Sequence, residues 1–160
     1  MDTKKLIFRE ACEIDLPAII ELLGDINMTQ PPAVVLGRER FSLTPFARYA
    51  DAFRQIRSSS NNSLILGVID EEIVALCQIT YIPNLTLGAT KRATFEGVRV
   101  SSSFRGQGIG QKLMRYCLDQ ARQRGCGLVQ LTTNVWRKDA IDFYLRLGFT
   151  ATHTGMRIDL

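Results

Sequence analysis

The sequence is organised around one stretch, VRVSSSFRGQGIG, which runs from Val98 to Gly110. It begins as the apolar end of a strand, passes through a polar turn and reaches glycines at alternate positions, Gly106, Gly108 and Gly110. Because glycine has no Cβ, backbone N–H groups here can approach a ligand closely. The helix that follows adds unpaired N–H groups and a partial positive charge at its N-terminus. The stretch therefore predicts an anion site, most naturally for a phosphate or pyrophosphate.

Two common phosphate-binding motifs fit this stretch poorly. A P-loop requires G-x-x-x-x-G-K-[ST], whereas Gly110 is followed by Gln111, Lys112 and Leu113. A dinucleotide site requires G-x-G-x-x-G with an acidic residue about twenty positions further on. The glycines here run G-x-G-x-G, and Gln130 stands near the place of the acid. Both of these interpretations are therefore disfavoured.

Hydrophobic periodicity on both sides of the stretch predicts alternating strands and helices. Before it we expect a strand (Leu6–Phe8), a helix from Asp15, a helix from Thr44, a hairpin of two strands (Leu64–Ile69 and Ile73–Tyr81) and a strand (Ala93–Val100). After it we expect a helix from Ile109, a strand (Leu128–Thr133), a helix (Asp139–Leu147) and a last extended region (Phe149–Leu160). The order β-α-α-β-β-β-α-β-α-β predicts a mixed α/β fold in a single domain, residues 1–160.

Composition excludes several classes of protein. The 160 residues are 46% hydrophobic and 22% charged, which is typical of an ordinary globular domain. The net charge of +4 is too small to indicate nucleic-acid binding. The apolar run near the N-terminus is too short for a signal peptide, and no run is long enough to span a membrane. We therefore expect a cytoplasmic protein with no nucleic-acid or membrane partner.

The cysteines do not have the spacing of a metal site. Cys12, Cys77, Cys117 and Cys126 form no C-x-x-C pair, and His153 is far from all of them in the sequence. We predict no bound metal and reduced, structural thiols.

The irregular segment Asn27–Leu43 contains Pro31, Pro32 and Gly37. A loop of this length in a compact domain is often a lid or a substrate wall, but it can equally be a mere connection. Both interpretations stay open.

Two motifs together carry a resemblance to a known family. The residues RGQGIG, Arg105–Gly110, match the pattern Q/R-x-x-G-x-G/A between a strand and a helix. The residues AIDFYLRLGF, Ala140–Phe149, match A-x-x-x-Y-x-x-x-G-F on the last helix. The chain thus resembles the GNAT N-acetyltransferase superfamily, and the order of its elements is similar over nearly the whole length. The resemblance implies an α/β (α+β) domain with a mixed, mostly antiparallel sheet that is splayed between its fourth and fifth strands and flanked by helices.

The resemblance also implies where acyl-CoA would bind. The strand Glu96–Val100 would separate from Leu128–Thr133, and backbone groups of Val98 and Val100 would pair with the pantetheine amides. The pyrophosphate would lie on the loop that opens with Arg105, held by N–H groups of Gly106, Gln107, Gly108, Ile109 and Gly110. Many family members carry Asn three residues before the alanine matched by Ala140, but Arg137 stands there. Either Arg137 or the earlier Asn134 is expected to contact the cofactor.

Two residues are candidates for catalysis. Glu96 is the only carboxylate in its strand, and simple alternation would place it on the same face as Val98 and Val100. It would act as a general base or bind the ammonium group of the acceptor, although a salt-bridged structural glutamate is the alternative. Tyr144 would lie near the thioester sulfur and protonate the departing thiolate, since a phenol is protonated at neutral pH. The alternative is a core aromatic, but Phe143 and Tyr144 are adjacent and cannot share one helix face.

The resemblance implies an enzyme that transfers an acetyl group from acetyl-CoA to a primary amine by direct attack. A small-molecule amine is the preferred acceptor. A protein or peptide N-acetyltransferase and a CoA-binding sensor without turnover are the alternatives. A homodimer formed through sheet edges or the C-terminal strand is compatible with the resemblance.

Overall fold

A computed structural model describes residues 5–25 and 44–160 of the chain. These residues form a five-stranded sheet in which the strands lie side by side in sequence order. The strands are β1 (Ile7–Glu10), β2 (Asn62–Ile69), β3 (Glu72–Ile82), β4 (Arg92–Val100) and β5 (Leu128–Leu131). Neighbours are antiparallel except β4 and β5, which are parallel. The mixed, mostly antiparallel sheet predicted from the sequence is confirmed.

Helices cover both faces of the sheet. They are α1 (Leu16–Gly24), α2 (Phe46–Ser58), α3 (Ile109–Gln123) and α4 (Lys138–Arg146). Buried side chains of α3 pack on one face, in a core with Ile79, Tyr81 and Phe95. Those of α1 and α2 pack on the other face, in a second core with Leu66 and Leu76. The faces are called the α3 side and the α1 side below.

The parallel strands β4 and β5 separate partway along their length. Their pairing runs from Arg92 opposite Leu128 to Phe95 opposite Leu131, where it ends. The strand β4 continues to Val100 with only β3 as its paired neighbour among the described residues. The predicted splay is confirmed, and it leaves one edge of the second half of β4 free.

A β-bulge in β4 decides which face each side chain takes. Glu96 is paired with Gln78 and Arg99 with Leu76, so two residues of β4 stand opposite one residue of β3. The bulge contains Gly97, whose φ of 61° lies in the left-handed region that favours glycine.

The expectation that Glu96 shares a face with Val98 and Val100 is wrong. Val98 and Val100 pack with Phe95 on the α3 side. Glu96 follows Phe95 directly and so points to the α1 side, and the extra residue of the bulge restores Val98 to the α3 side.

The last predicted strand is absent. Residues 149–160 are all described and form no strand, and Met156, Ile158 and Leu160 are fully exposed. Their alternation is that of a strand, but a strand needs backbone hydrogen bonds to a neighbouring strand, and this segment pairs with no strand of the described chain. The segment Asn27–Leu43, predicted to be irregular, lies outside the described residues.

A buried carboxylate joins β1 to α1. Asp15 accepts hydrogen bonds from Arg9 Nη1 at 2.6 Å, Arg9 Nη2 at 2.8 Å and the backbone N–H of Cys12 at 2.8 Å. The Arg9 guanidinium, aided by the Cys12 N–H, holds the pKa of Asp15 far below its usual value against the opposing effect of burial. The contact therefore stabilises the fold only while Asp15 is ionised.

We expect Asp15→Asn to lower the free energy of unfolding by about 2 kcal/mol at neutral pH, since it removes the negative charge and one of the two acceptor oxygens that the Arg9 guanidinium binds. The folded-state pKa of Asp15 lies below its unfolded value of about 4, so the contribution is complete above pH ~4 and is lost as pH falls below it. Urea unfolding over a pH series measures both effects. Asp119→Asn is the control, because Asp119 forms an exposed ion pair with Arg122. Equal losses in both variants would contradict the prediction.

Candidate active site

The gap between β4 and β5 opens into a cleft of about 120 Å³. Its walls come from three places, the second half of β4, the residues after β5 and the beginning of α4. The lining residues are Phe95, Glu96, Gly97, Val98, Arg99, Thr132, Thr133, Asn134, Arg137 and Tyr144. The cleft thus unites Glu96, Tyr144, Val98, Asn134 and Arg137, which the sequence analysis singled out at distant positions.

The backbone of β4 faces this cleft at two predicted positions. Ser101, directly after β4, donates its N–H to Val74 O at 2.8 Å and therefore faces β3. Because peptide groups of successive strand residues point to opposite edges, those of Val100 and Val98 point to the free edge. Both carbonyl oxygens already accept a hydrogen bond, Val98 O from Arg99 Nη1 at 3.0 Å and Val100 O from Arg105 Nε at 3.1 Å. Each oxygen keeps a second lone pair, and the N–H groups remain available for a ligand.

The glycine loop has the geometry of an anion cradle. Gly106 and Gly108 have φ values of 78° and 76°, and a Cβ at either position would meet no described atom within 4 Å. Gly108 is the N-cap residue of α3, so the first N–H groups of that helix point toward the same open space. The side chain of Gln107 is exposed and donates to Ser103 O, whereas that of Ile109 is buried in the core. Ile109 can therefore offer a ligand only its backbone.

Gly110 has a different role from the other two glycines. A Cβ on it would lie 3.3 Å from Phe143 and 3.5 Å from Val100. The absence of a side chain here allows α4 to pack closely over the beginning of α3.

Arg105 is exposed, but its guanidinium makes hydrogen bonds that hold the loop in place. Its Nη2 donates to Asp25 O at 3.0 Å, and its Nε donates to Val100 O. The Asp25 carboxylate in turn accepts the backbone N–H of Ser102. The end of α1 is thereby tied to the loop that precedes α3.

Tyr144 and Phe143 take different positions. Phe143 packs over Gly110, and Tyr144 lines the cleft, with its ring edge-on to Phe143 and Phe149 at centroid distances of 5.3 and 5.8 Å. Burial raises the pKa of Tyr144 above the usual value for a phenol, and the nearby cations Arg137 and Arg99 oppose this effect. The Tyr144 hydroxyl is therefore protonated at neutral pH, and it forms no hydrogen bond with any described residue.

Glu96 approaches the same cleft from the α1 side. Its side chain is exposed, next to the bulge over which Leu23 of α1 lies. No cationic nitrogen of the described residues lies within 4.0 Å of its carboxylate oxygens. A carboxylate in this position is free to accept a proton or to bind an ammonium group.

Sequence reasoning missed several lining residues, and two of them, Arg99 and Thr133, bear on the chemistry of the cleft. Arg99 is partly buried, and a charged residue between Val98 and Val100 in an apolar strand was the available signal. The Thr133 hydroxyl is buried and has no hydrogen-bond partner within the described chain, which no sequence pattern indicates. An orphaned buried hydroxyl is costly unless a ligand or water completes it.

The described residues contain no group of three or more His, Cys, Asp or Glu side chains that could hold a metal ion. All the cysteines, Cys12, Cys77, Cys117 and Cys126, are free thiols. Among the described helices, none is long and apolar enough to cross a membrane.

A parallel strand pair that separates beside a glycine-rich helix N-terminus defines the class of acyl-CoA-dependent transferases that the motifs resemble. The chain belongs to the acetyltransferase (GNAT) family, whose family model matches residues 25–149. The predicted family and enzyme class are confirmed.

The chain is also similar to three individual proteins. A glucosamine 6-phosphate N-acetyltransferase of Trypanosoma brucei brucei is 28% identical over 159 residues, which cover 99% of both chains. An aminoalkylphosphonate N-acetyltransferase of Salmonella typhimurium is 47% identical over 49 residues, 31% of this chain and 32% of that protein. The crystal structure of a transcriptional regulator from Bacillus halodurans C-125 has a TM-score of 0.86 at 42% identity, and the match covers 98% of this chain and all of that one.

Proposed function

We propose that the protein transfers the acetyl group of acetyl-CoA to a primary amine of a small molecule, with both substrates bound in the cleft. The observation that carries the proposal is the meeting of Glu96, Tyr144 and the free edge of β4 in one cleft. No covalent intermediate on the enzyme is required when the amine meets the thioester directly.

The cleft fits acetyl-CoA at three points. Gly106 and Gly108 leave open space where side chains would stand, as a loop that holds a pyrophosphate requires. The peptide groups of Val98 and Val100 lie at the free edge of β4, where the pantetheine amides would pair with them. The orphaned Thr133 hydroxyl and the Asn134 side chain line the opposite wall and offer polar contacts to the same arm.

The chain's own residues account for the proton transfers of the reaction. Acetyl-CoA supplies the acetyl group as a thioester. Glu96 receives a proton from the acceptor ammonium, directly or through water, so that a neutral amine is present for attack. The N–H of Val98 stabilises the developing oxyanion, and Tyr144 gives its proton to the departing sulfur. The nitrogen loses its remaining extra proton as the amide forms, and this proton, passed through water, restores the Tyr144 phenol.

The relatives support a small acceptor. Those from Trypanosoma brucei brucei and Salmonella typhimurium are named for acetylation of an amino sugar phosphate and of aminoalkylphosphonates. Both acceptors are small molecules with one amine. The exposed Glu96, on the α1 side of β4, would meet such an amine.

A second candidate function is a regulatory module that binds CoA without turnover. The observation in its favour is the 42% identity to the Bacillus halodurans protein described as a transcriptional regulator. Glu96 and Tyr144 favour the enzyme, since a sensor needs neither a base nor a proton donor.

Release of free thiol from acetyl-CoA, measured with and without a panel of primary amines, distinguishes the two functions. We expect release that depends on the amine and that Glu96→Gln lowers about 100-fold, mostly in kcat at neutral pH. Gln78→Ala, which alters the strand partner of Glu96 and keeps the carboxylate, is the control. Tight CoA binding with no turnover of any amine would contradict the enzyme and favour the sensor.

We also propose that the enzyme is cytoplasmic and dimeric. The free thiols of Cys12 and Cys126, which are not fully buried, suit a reducing compartment. The exposed apolar side chains of Met156, Ile158 and Leu160 offer a contact surface to a second copy.

A further inference from the structure

Two arginines meet on the acceptor side of the cleft. Arg99 follows the bulge of β4 and points to the α1 side, as Glu96 does, because its partner Leu76 belongs to the core on that side. Arg137 precedes α4 and lines the same cleft. Within residues 5–25 and 44–160, neither guanidinium lies within 4.0 Å of a carboxylate oxygen. The cleft therefore holds two positive charges, neither of which forms an ion pair with a carboxylate of the described chain.

Both arginines are partly buried. A guanidinium has five N–H donors, and the hydrogen bond that Arg99 makes with a described residue is the one from Nη1 to Val98 O. Burial, and then the charge of Arg137, lower the pKa of Arg99. The nearby carboxylate of Asp25 is already bound by Arg105 and Ser102. A buried cation beside a like charge is costly unless an anion completes the site.

The pyrophosphate loop does not account for these two charges. That loop opens α3, and its own arginine is Arg105. Arg99 projects from the opposite face of β4, beside Glu96. The anion that fits Arg99 and Arg137 thus belongs to whatever occupies the α1 side of the cleft.

The bulge sets the spacing between the charges of opposite sign. The β3 partners of Glu96 and Arg99 are Gln78 and Leu76, two residues apart, so the two side chains start about 7 Å from each other along the strand. Glu96, which would meet an amine, is therefore the neighbour on the same face of Arg99, whose guanidinium can bind an oxyanion through paired hydrogen bonds.

We propose that the acceptor is a zwitterion, an amine that carries a phosphate, phosphonate or carboxylate a few bonds away, and that Arg99 and Arg137 bind this anionic group while Glu96 meets the amine. The proposal rests on the N-acetyltransferase function proposed above and names its acceptor class. Arg99 and Arg137 are binding residues in this arrangement, and Arg137 is assigned to the acceptor rather than to CoA.

Matched acceptors that differ only in the anionic group test the proposal. Suitable sets are 3-amino-1-propanol with 3-aminopropylphosphonate and 4-aminobutanoate, and glucosamine with glucosamine 6-phosphate. We expect at least one anionic member to have a kcat/KM about 30-fold or more above that of its neutral partner, as for a partly buried charge pair. Steady-state thiol release gives kcat and KM for each acceptor.

Arg99→Gln is expected to remove this preference through a rise in KM for the anionic acceptor, with little change for the neutral one. Arg99→Lys keeps the charge but loses the paired donors, so it should restore part of the preference. Arg115→Gln, which removes an exposed charge of α3, should keep the preference of the unsubstituted protein. The affinity for acetyl-CoA should be unchanged in all three variants.

The outcomes separate this proposal from the function on which it rests. Equal kcat/KM for neutral and anionic partners, or a preference that survives Arg99→Gln, would overturn the zwitterionic acceptor and leave the enzyme intact. Loss of acetyl-CoA affinity in Arg99→Gln would show that Arg99 binds CoA, and it would also overturn the proposal of a zwitterionic acceptor. If no amine is acetylated, the proposed enzymatic function is contradicted. Thermal stabilisation of the protein by the same amine pairs in the presence of CoA then tests the anion site separately. Stabilisation by the anionic member that is lost in Arg99→Gln supports the anion site, and its absence overturns the site.

Discussion

Replacing Tyr144 with phenylalanine is expected to lower kcat about 100-fold and to leave the affinity for acetyl-CoA nearly unchanged. The substitution removes one hydroxyl that forms no hydrogen bond with any described residue, so little stability should be lost with it. The ring, which packs edge-on against Phe143 and Phe149, is retained. A fall in kcat would therefore report the loss of a proton donor.

The pH dependence of kcat gives this prediction a second readout. Burial raises the pKa of Tyr144 above its usual value of about 10. An acid that must donate a proton loses activity only as pH rises through its pKa. We therefore expect no loss of kcat from this group below pH ~10 in the unsubstituted protein.

Tyr116→Phe is the matched control for Tyr144→Phe. It removes the same hydroxyl from a half-buried tyrosine that stacks on Phe8 at a centroid distance of 5.0 Å, away from the cleft. We expect it to keep full activity. If Tyr144→Phe were as active as Tyr116→Phe, Tyr144 would be a packing residue only.

Replacing Gly108 with glutamate is expected to weaken acetyl-CoA binding about 100-fold or more. The left-handed backbone and the open space at this position place a new carboxylate where the pyrophosphate would lie, and like charges in contact cost several kcal/mol. Acetyl-CoA at 100 times its Kd should stabilise the unsubstituted protein by about 2.7 kcal/mol, or roughly 5 to 10 °C in Tm. Gly108→Glu should lose this rise.

Gly125→Glu separates the effect on binding from the effect on the backbone. Gly125 lies just after α3 with a φ of 75°, close to the 76° of Gly108, and a Cβ there also meets no described atom within 4 Å. Both substitutions should therefore cost about 1 kcal/mol in strain. Only Gly125→Glu should keep the rise in Tm with acetyl-CoA, and loss of the rise in both variants would disprove a specific site at Gly108.

Local patterns in the sequence predicted the fold and much of the candidate site. The loop at Gly108 and the helix that carries Tyr144 are each formed by residues within a few positions of each other in the sequence. Residues that are close in the sequence are therefore also close in the structure, and the motif can be recognised from the sequence. The resemblance to the family implied that β4 lies beside β5 and that the two strands separate. The same motifs identified the family.

The features that the sequence did not predict depend on partners far away in the chain. The bulge at Gly97 exists only relative to its pairing with β3, and a count along β4 cannot find it. Arg99 was therefore placed on neither face, and Glu96 was placed on the wrong one. The segment after Phe149 has the alternation of a strand, but alternation does not provide the neighbour that a strand needs.

Because of the extra residue at Gly97, the side chains of β4 do not alternate regularly between the two faces of the sheet along the whole strand. Before it, odd-numbered residues such as Phe95 face α3, and after it even-numbered residues such as Val98 do. A chain one residue shorter here would keep Glu96 and Arg99 on one face but would lose the bend beside the point where β4 leaves β5. Without that bend, we expect β4 to continue alongside β5 beyond the pair of Phe95 and Leu131, with its outer peptide groups hydrogen-bonded within the sheet. A single inserted residue thus accounts for the unpaired hydrogen-bonding groups at the edge of β4.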